Sequence, residues 1–429
     1  MRGIDISNGN LEDEILPLMD EFKEIETCVE CSAKSLTNVS EVFYFAQKAV
    51  LHPTAPLYDS RDHLLKPACV QALKRIFKLC DFNGDGILDD EELNEFQRKC
   101  FKHPLQLQEL EGVKDVIREH EAEGVNELGL TESGFIFLHR LFIQRGRVET
   151  TWAVLRKFGY GDDLSLTMEF LYPEIEVPSD CSVELSSQGF QFFTELFSKY
   201  DKDKDGALNA PELEELFNST SPGNPWIAQN FPETTVTNES SHITLQGFLA
   251  QWAMTTLLDY KTTLAYLGYL GFTGESSVNG IKVTRAKKID RKKQKTLRNT
   301  FCCFVFGAVG CGKTCLLRNF VNKKFLSSYK ATRNPYNVVN SVEAGGSEKY
   351  LVLKEINPAF DKEVLLGKSF KEMCDVACFL YDSGDPNSFD YVANLKKSYD
   401  FEDIPTLFIA CKSDLDLVQQ VTFLLITEI

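Results

Sequence analysis

Two stretches constrain the fold more than any others: "DFNGDGILDDEE", beginning at Asp81, and "DKDKDGALNAPE", beginning at Asp201, 120 residues later. A hard cation such as calcium needs six to eight oxygens. A 12-residue loop between two helices supplies them from fixed positions, with a glycine at the sixth for the turn and a long Glu at the twelfth. The first loop offers Asp81, Asn83, Asp85, the carbonyl of Ile87, Asp89 through a water, and Glu92, with its turn at Gly86. The second offers Asp201, Asp203, Asp205, the carbonyl of Ala207, Asn209 and Glu212, with its turn at Gly206. Four carboxylates per loop offset a dication, and the sequence predicts two calcium ions in all. Apolar stripes lead into each loop: Leu73, Ile76, Phe77 and Cys80 before the first, Phe190, Phe193, Phe197 and Tyr200 before the second. Both therefore read as hands made of helix, loop and helix.

Such hands pair, and weaker repeats supply the partners. "GLTESGFIFLHRL" (129–141) matches "HITLQGFLAQWAM" (242–254), and "TTWAVLRKFGYG" (150–161) matches "TTLAYLGYLGFTG" (262–274). Setting Leu88 against Leu130, and Leu208 against Ile243, puts Thr131 and Thr244 at the ninth position. Gly134 and Gly247 then fall at the twelfth. Without the long Glu those loops pair but hold no metal. Helices at 148–158 and 260–270 carry Val148, Trp152 and Leu155, and Leu264, Leu267 and Tyr269. They either fill the groove of an open hand or simply close its core.

The last block alternates "FCCFVFG", "YLVLKEI", "VACFLYD" and "TLFIACK" with helical stretches, as a parallel sheet covered on both faces would. "GAVGCGKT" (307–314) follows the first of these runs and opens a helix, the context of a phosphate-binding loop. Gly307, Gly310, Cys311, Gly312, Lys313, Thr314 and Cys315 would surround the phosphates. Lys313 would contact the β- and γ-phosphates and Thr314 the magnesium, which makes these two the catalytic candidates. "ACKSDL" (410–415) resembles the N-K-x-D loop of Ras-like proteins, and the resemblance implies that Asp414 accepts from guanine N1–H and the exocyclic amine while Lys412 lies over the ring. Adenine lacks both donors, so the nucleotide is GTP or GDP. Cys411 stands where an Asn is usual in this loop, which relaxes the preference.

Composition narrows the partners. A formal net charge of −17 argues against nucleic acid, whose phosphates need clustered Lys and Arg. The exception is "RAKKIDRKKQKTLR" (285–298), with eight Lys or Arg among fourteen residues. It reads as a solvated tether or as a patch meeting acidic lipid or protein. Thirteen irregularly spaced cysteines indicate reduced thiols, and Cys28 and Cys31 read as buried strand cysteines rather than zinc ligands. "VTFLLITEI" (421–429) is far shorter than the roughly 20 residues that span a bilayer.

Near the start, "ETCVECSAKSL" (26–36) places Ser32-Ala33-Lys34 after a short apolar strand, following a helix at 11–25 and preceding one bearing Val39, Val42, Phe43, Ala46 and Val50. This resembles the last guanine-contacting loop of a Ras-like domain. A Ras-like remnant, two calcium-hand units and a downstream "GAVGCGKT" together resemble the mitochondrial Rho GTPases. The implied architecture is multidomain: two α-helical EF-hand pairs plus an α/β P-loop Ras-like GTPase domain. Residues 1–57 would be the remnant of a first GTPase, 58–170 and 171–275 the EF-hand units, 276–299 a basic linker, and 300–429 an incomplete second GTPase. The chain reads as truncated at both ends.

The resemblance implies a calcium-sensing GTPase on the cytosolic face of the mitochondrial outer membrane, coupling mitochondria to motor adaptors and cytoskeletal transport. Membrane contact would come only through a C-terminal tail absent here, so this chain would be soluble. After "YLVLK", where such proteins carry D-x-x-G and a water-positioning Gln, the chain reads Glu355-Ile356-Asn357-Pro358-Ala359-Phe360. Proline offers no N–H to the γ-phosphate, and no Gln follows. Thr332 is the candidate switch threonine. Hydrolysis is expected to be slow, and the alternative is a calcium-binding scaffold with little or no GTPase activity.

Overall fold

The computed structural model describes residues 17, 18, 21, 22, 25, 28–218, 220, 222–272, 276–325, 336–401 and 404–415. Most of the helix expected at 11–25, Thr332 and residues 421–429 lie outside the described residues. The chain divides into two compact units, residues 1–170 and 171–429.

In the first unit, α1 (Val39–Leu51) precedes a two-strand ribbon of β1 (Tyr58–Asp59) and β2 (Leu64–Leu65). The first hand follows: α2 (Pro67–Cys80), β3 (Ile87–Leu88) and α3 (Asp90–Phe101). Pro67 opens α2, where a missing N–H costs nothing. Its partner hand is α4 (Leu107–His120), β4 (Leu130–Thr131) and α5 (Glu132–Gln144), closed by α6 (Val148–Lys157). Leu73, Ile76, Phe77, Phe135, Val148, Trp152 and Leu155 share one core, so the α6 stripe is buried within the hands' own interior.

Two expectations at the start of the chain need correction. Residues 28–31 form no strand, and Cys28 and Cys31 are exposed rather than buried. A strand exists only where another backbone pairs with it, and among the described residues here the one bridge joins Ser32 to Thr37. The helix α1 does form, but none of its residues is buried, and Phe43 is 66% exposed. It is held at its C-terminal end, where Lys48 meets the Glu149 carboxylate at 3.2 Å and Trp152 Nε1 donates to the Pro53 carbonyl at 2.8 Å.

The second unit opens with β5 (Val183–Leu185) and continues through the second hand, α7 (Ser187–Tyr200), β6 (Ala207–Leu208) and α8 (Ala210–Phe217). Its partner supplies β7 (Ile243–Thr244), α9 (Leu245–Leu258) and α10 (Tyr260–Tyr269). Then come β8 (Ile281–Val283), α11 (Lys287–Lys293), β9 (Thr300–Gly307), α12 (Lys313–Phe320), β10 (Tyr336–Ala344) and β11 (Ser347–Glu355). The chain continues through α13 (Asp361–Leu366), α14 (Lys368–Met373), β12 (Val376–Asp382), α15 (Pro386–Ser398) and β13 (Thr406–Cys411).

The large sheet has the order β10-β11-β9-β12-β13. The four apolar runs are its parallel strands, and β10 adds an antiparallel edge that the sequence reading did not foresee. Alternation sends Phe304, Phe306 and Phe379 to one face and Cys303, Val305 and Leu380 to the other, against Leu317 and Val321.

The helix α9, "LQGFLAQWAMTTLL", is apolar nearly all round because it is covered all round. Phe248 and Trp252 face the hand core, while Ala250, Ala253 and Met254 pack on the nucleotide-domain sheet. The basic segment is solvated over residues 291–297 but anchored on either side of them. Strand β8 pairs with β5, and Lys287, Asp290 and Arg298 are buried. The carboxylate of Glu184, fully buried, accepts from the backbone of Asn299 (3.0 Å) and Thr300 (3.1 Å). These bonds fasten the entry of the second hand to the first strand of the sheet.

Candidate calcium and nucleotide sites

Each calcium loop is folded with its carboxylates turned inward onto its own backbone. Asp81 accepts from the N–H groups of Gly84 (2.7 Å) and Gly86 (3.0 Å), and Asp85 from Ile87 (2.9 Å). Glu92 reaches back from α3 to accept from Phe82 (2.7 Å), Asn83 (3.2 Å) and Asp89 (3.2 Å). Asn83 Oδ1 accepts from Asp85 N at 2.9 Å, and Asp89 caps α3 by accepting from Glu92 N at 2.8 Å.

The second loop repeats the pattern. Asp201 accepts from Asp205 (3.1 Å) and Gly206 (3.0 Å), and Asp205 accepts from Ala207 (2.8 Å). Glu212 accepts from Lys202 (2.9 Å) and Asn209 (3.0 Å). Gly86 and Gly206 each sit at φ +82°, a left-handed turn that glycine adopts without strain. Ligand oxygens of Asp201, Asp203 and Asp205 lie within 4.8 Å of one another. Like charges held this close repel, and a bound dication converts that repulsion into coordination. The donor set, all oxygen and with a long Glu folded back, fits calcium.

The partner strands pair in the expected register: Ile87 opposite Thr131 and Leu88 opposite Leu130, then Ala207 opposite Thr244 and Leu208 opposite Ile243. Thr131 and Thr244 cap their helices by accepting from Gly134 (3.3 Å) and Gly247 (3.1 Å). A Cβ on Gly134 would lie 1.9 Å from the Gly124 carbonyl oxygen, and one on Gly247 2.0 Å from that of Val236. In each, backbone occupies the place where a twelfth-position Glu would start.

At the nucleotide domain, β9 ends in Gly307 and the loop turns through Gly310 (φ +80°) and Gly312 (φ +113°) into α12. Lys313, nearly buried, donates to the carbonyls of Gly307 (2.6 Å) and Ala308 (3.0 Å), bridging the loop from within. Thr314 Oγ1 donates to the Glu355 carboxylate at 2.9–3.0 Å. Glu355 ends β11, one strand over, and a hydroxyl beside a carboxylate is suitable chemistry for a hydrated magnesium. The sequence reading noted Glu355 only as a departure from Asp, although its place after "YLVLK" was the available signal.

Cys311 is buried beneath the loop, while Cys315 is partly covered on α12. Cys411, at the end of β13, lies 3.4 Å from where a Cβ on Gly312 would be, so it packs against the phosphate loop. Lys412, left-handed at φ +59°, donates to Asp382 at 2.6 Å. Burial pushes the Asp382 carboxyl up, but the Lys412 ammonium and the Gly384 N–H outweigh it and hold the group below its usual range. Asp414 is exposed two residues on, in the turn after the strand. Pro358 opens a short 3-10 turn to Phe360 whose first N–H is absent by chemistry, and Asn357 caps it by accepting from Ala359 N at 3.0 Å.

Comparison with known proteins agrees with this layout. Residues 103–189 and 226–295 match family models described as EF hand associated, 194–217 one described as EF hand, and 303–425 the Ras family. The second of these runs through the basic segment. The chain is 51% identical to Mitochondrial Rho GTPase 1 of Cryptococcus neoformans var. neoformans serotype D (strain JEC21 / ATCC MYA-565) over 464 aligned positions, covering 98% of this chain and 68% of that protein. It is 50% identical to Mitochondrial Rho GTPase 1 of Mycosarcoma maydis over 487 positions, covering 98% of this chain and 65% of that one. With two calcium-type loops and a phosphate loop built into one chain, and likeness on this scale, the chain belongs to the mitochondrial Rho GTPase family.

Proposed function

We propose that this calcium-binding GTPase holds one calcium ion in each of the loops at 81–92 and 201–212, two in all. It takes GTP or GDP with magnesium at the phosphate loop and hydrolyses GTP slowly. Glu92 and Glu212 supply both carboxylate oxygens to their ions. Lys313 turns from the Gly307 and Ala308 carbonyls to the β- and γ-phosphates, Thr314 ligates magnesium, and Asp414 reads guanine. Bound magnesium would supply charge neutralisation at the phosphates. The observation that carries this reading is the placement of Thr314 and Glu355 together, within hydrogen-bond distance, below a loop already bridged by Lys313.

By resemblance, the protein works at mitochondria, on the cytosolic face of the outer membrane, and couples them to cytoskeletal transport through motor-adaptor partners. No helix among the described residues is long and apolar enough to cross a membrane. Pro358 and the absence of a following Gln favour a second reading, a calcium-binding scaffold whose nucleotide domain does little chemistry. GTP turnover by the purified chain and by Lys313→Ala, in calcium and in chelator, separates the two. Lysine-dependent turnover supports the enzyme, whereas calcium binding without turnover supports the scaffold.

A further inference from the structure

A loop that reads guanine has to be held in place, because a displaced acceptor loses the two donors that tell guanine from adenine. The Asn usual at position 411 would brace the loop through its amide. Cys411 brings only a thiol, a weak donor. Some other group has to do the bracing if the base is to be discriminated.

The end of β12 stands where that brace is needed. Asp382 closes the strand opposite Cys411 in the parallel pairing with β13. One residue on, Ser383 donates twice to the Cys411 carbonyl, from its N–H at 2.9 Å and from its hydroxyl at 2.6 Å. The N–H continues the ladder of the sheet, whereas the hydroxyl is an added donor that fills the second lone pair of that oxygen. Lys412 follows in the left-handed region, at φ +59°, and its ammonium donates to Asp382 Oδ2 at 2.6 Å. The other oxygen, Oδ1, accepts from the Gly384 N–H at 2.9 Å, so the carboxylate is itself oriented. The Asp382 N–H donates to the Ser388 hydroxyl at 3.0 Å, which ties this corner to α15. Contact also joins it to the phosphate loop: a Cβ on Gly312 would lie 3.4 Å from the Cβ of Cys411 and 3.6 Å from its Sγ.

We propose that Ser383 and Asp382 are positioning residues for guanine recognition. Ser383 fixes the backbone that carries Asp414, and Asp382 anchors the Lys412 ammonium so that the methylene stem is set in advance for the base. The inference deepens the reading of the nucleotide site above and rests on it. An anchored lysine has less rotamer freedom left to lose when the base arrives. Discrimination is thereby supported from β12, and the missing Asn amide is replaced rather than simply lost.

Competition binding to the whole chain tests this, with GTP and ATP probing the base and magnesium tripolyphosphate probing the phosphate loop alone. Ser383→Ala keeps the backbone N–H bond to Cys411, and Asp382→Asn keeps an acceptor of the same shape. Each is expected to lower the GTP-over-ATP preference about threefold or more, with tripolyphosphate affinity within about twofold of wild type, which also shows that the domain is folded. Cys411→Asn should change the wild-type preference less than about twofold, yet restore it in the Ser383→Ala background. An unchanged preference in both variants, or equal losses of GTP and tripolyphosphate affinity, overturns the assignment. So does a gain from Cys411→Asn as large in the wild type as in Ser383→Ala. Failure of the wild-type chain to prefer GTP over ATP, or to bind GTP more tightly than Lys313→Ala does, would instead overturn the nucleotide reading beneath it.

Discussion

The guanidinium of Arg298 grips the carboxylate of Asp375 with two hydrogen bonds, 2.6 and 2.9 Å long, and both side chains are buried. Lys287 adds a second cation 2.9 Å from the same carboxylate, and the Cys302 N–H a further donor at 2.9 Å. One acidic group therefore joins the basic segment to the start of β9 and of β12.

Removing one partner of such a pair leaves uncompensated buried charge, so Asp375→Ala should destabilise the second unit by about 3–5 kcal/mol in urea unfolding. Burial raises the Asp375 carboxyl, but Arg298 and then Lys287 outweigh it and hold it below the usual range. A depressed carboxyl stabilises the fold fully above the unfolded value of about 3.9, and that stabilisation fades as pH falls through the lower folded value. Wild-type stability should thus fall below about pH 4 more steeply than that of the variant, as acid unfolding curves would reveal.

The partner hands cannot be turned into calcium sites by restoring the missing acid. Gly134→Glu and Gly247→Glu drive a Cβ into backbone carbonyls at 1.9 and 2.0 Å, so something must move. Each should lose about 1–3 kcal/mol of stability and add no calcium. A thermal scan combined with a calcium titration checks both halves, and a third bound ion in either variant would refute the reasoning.

Base choice should depend on Asp414. Asp414→Ala removes an acceptor for two guanine donors, and a hydrogen bond to a charged group contributes about 1.5–3 kcal/mol. The GTP-over-ATP preference should drop by about tenfold or more in competition binding. An unchanged preference would move base recognition elsewhere.

What the sequence made legible was chemistry that needs fixed positions. The calcium loops, the Leu88–Leu130 and Leu208–Ile243 register and the phosphate loop all follow from spacing, because coordination geometry and strand pairing tolerate no slip. What stayed hidden depends on neighbours. Residues 28–31 read as part of a strand but find no partner among the described residues, and α9 gives no hint that its alanines serve a second domain. The anchoring of the basic run stayed hidden because Glu184 and Asp375, the buried partners of its Arg298, lie over 75 residues away.

Calcium stoichiometry tests the central claim most directly. Calorimetric titration of the chain should give two ions bound, one after either Glu92→Gln or Glu212→Gln, and none after both. Two ions still bound by the double variant, or none taken up by the unaltered chain, would contradict it.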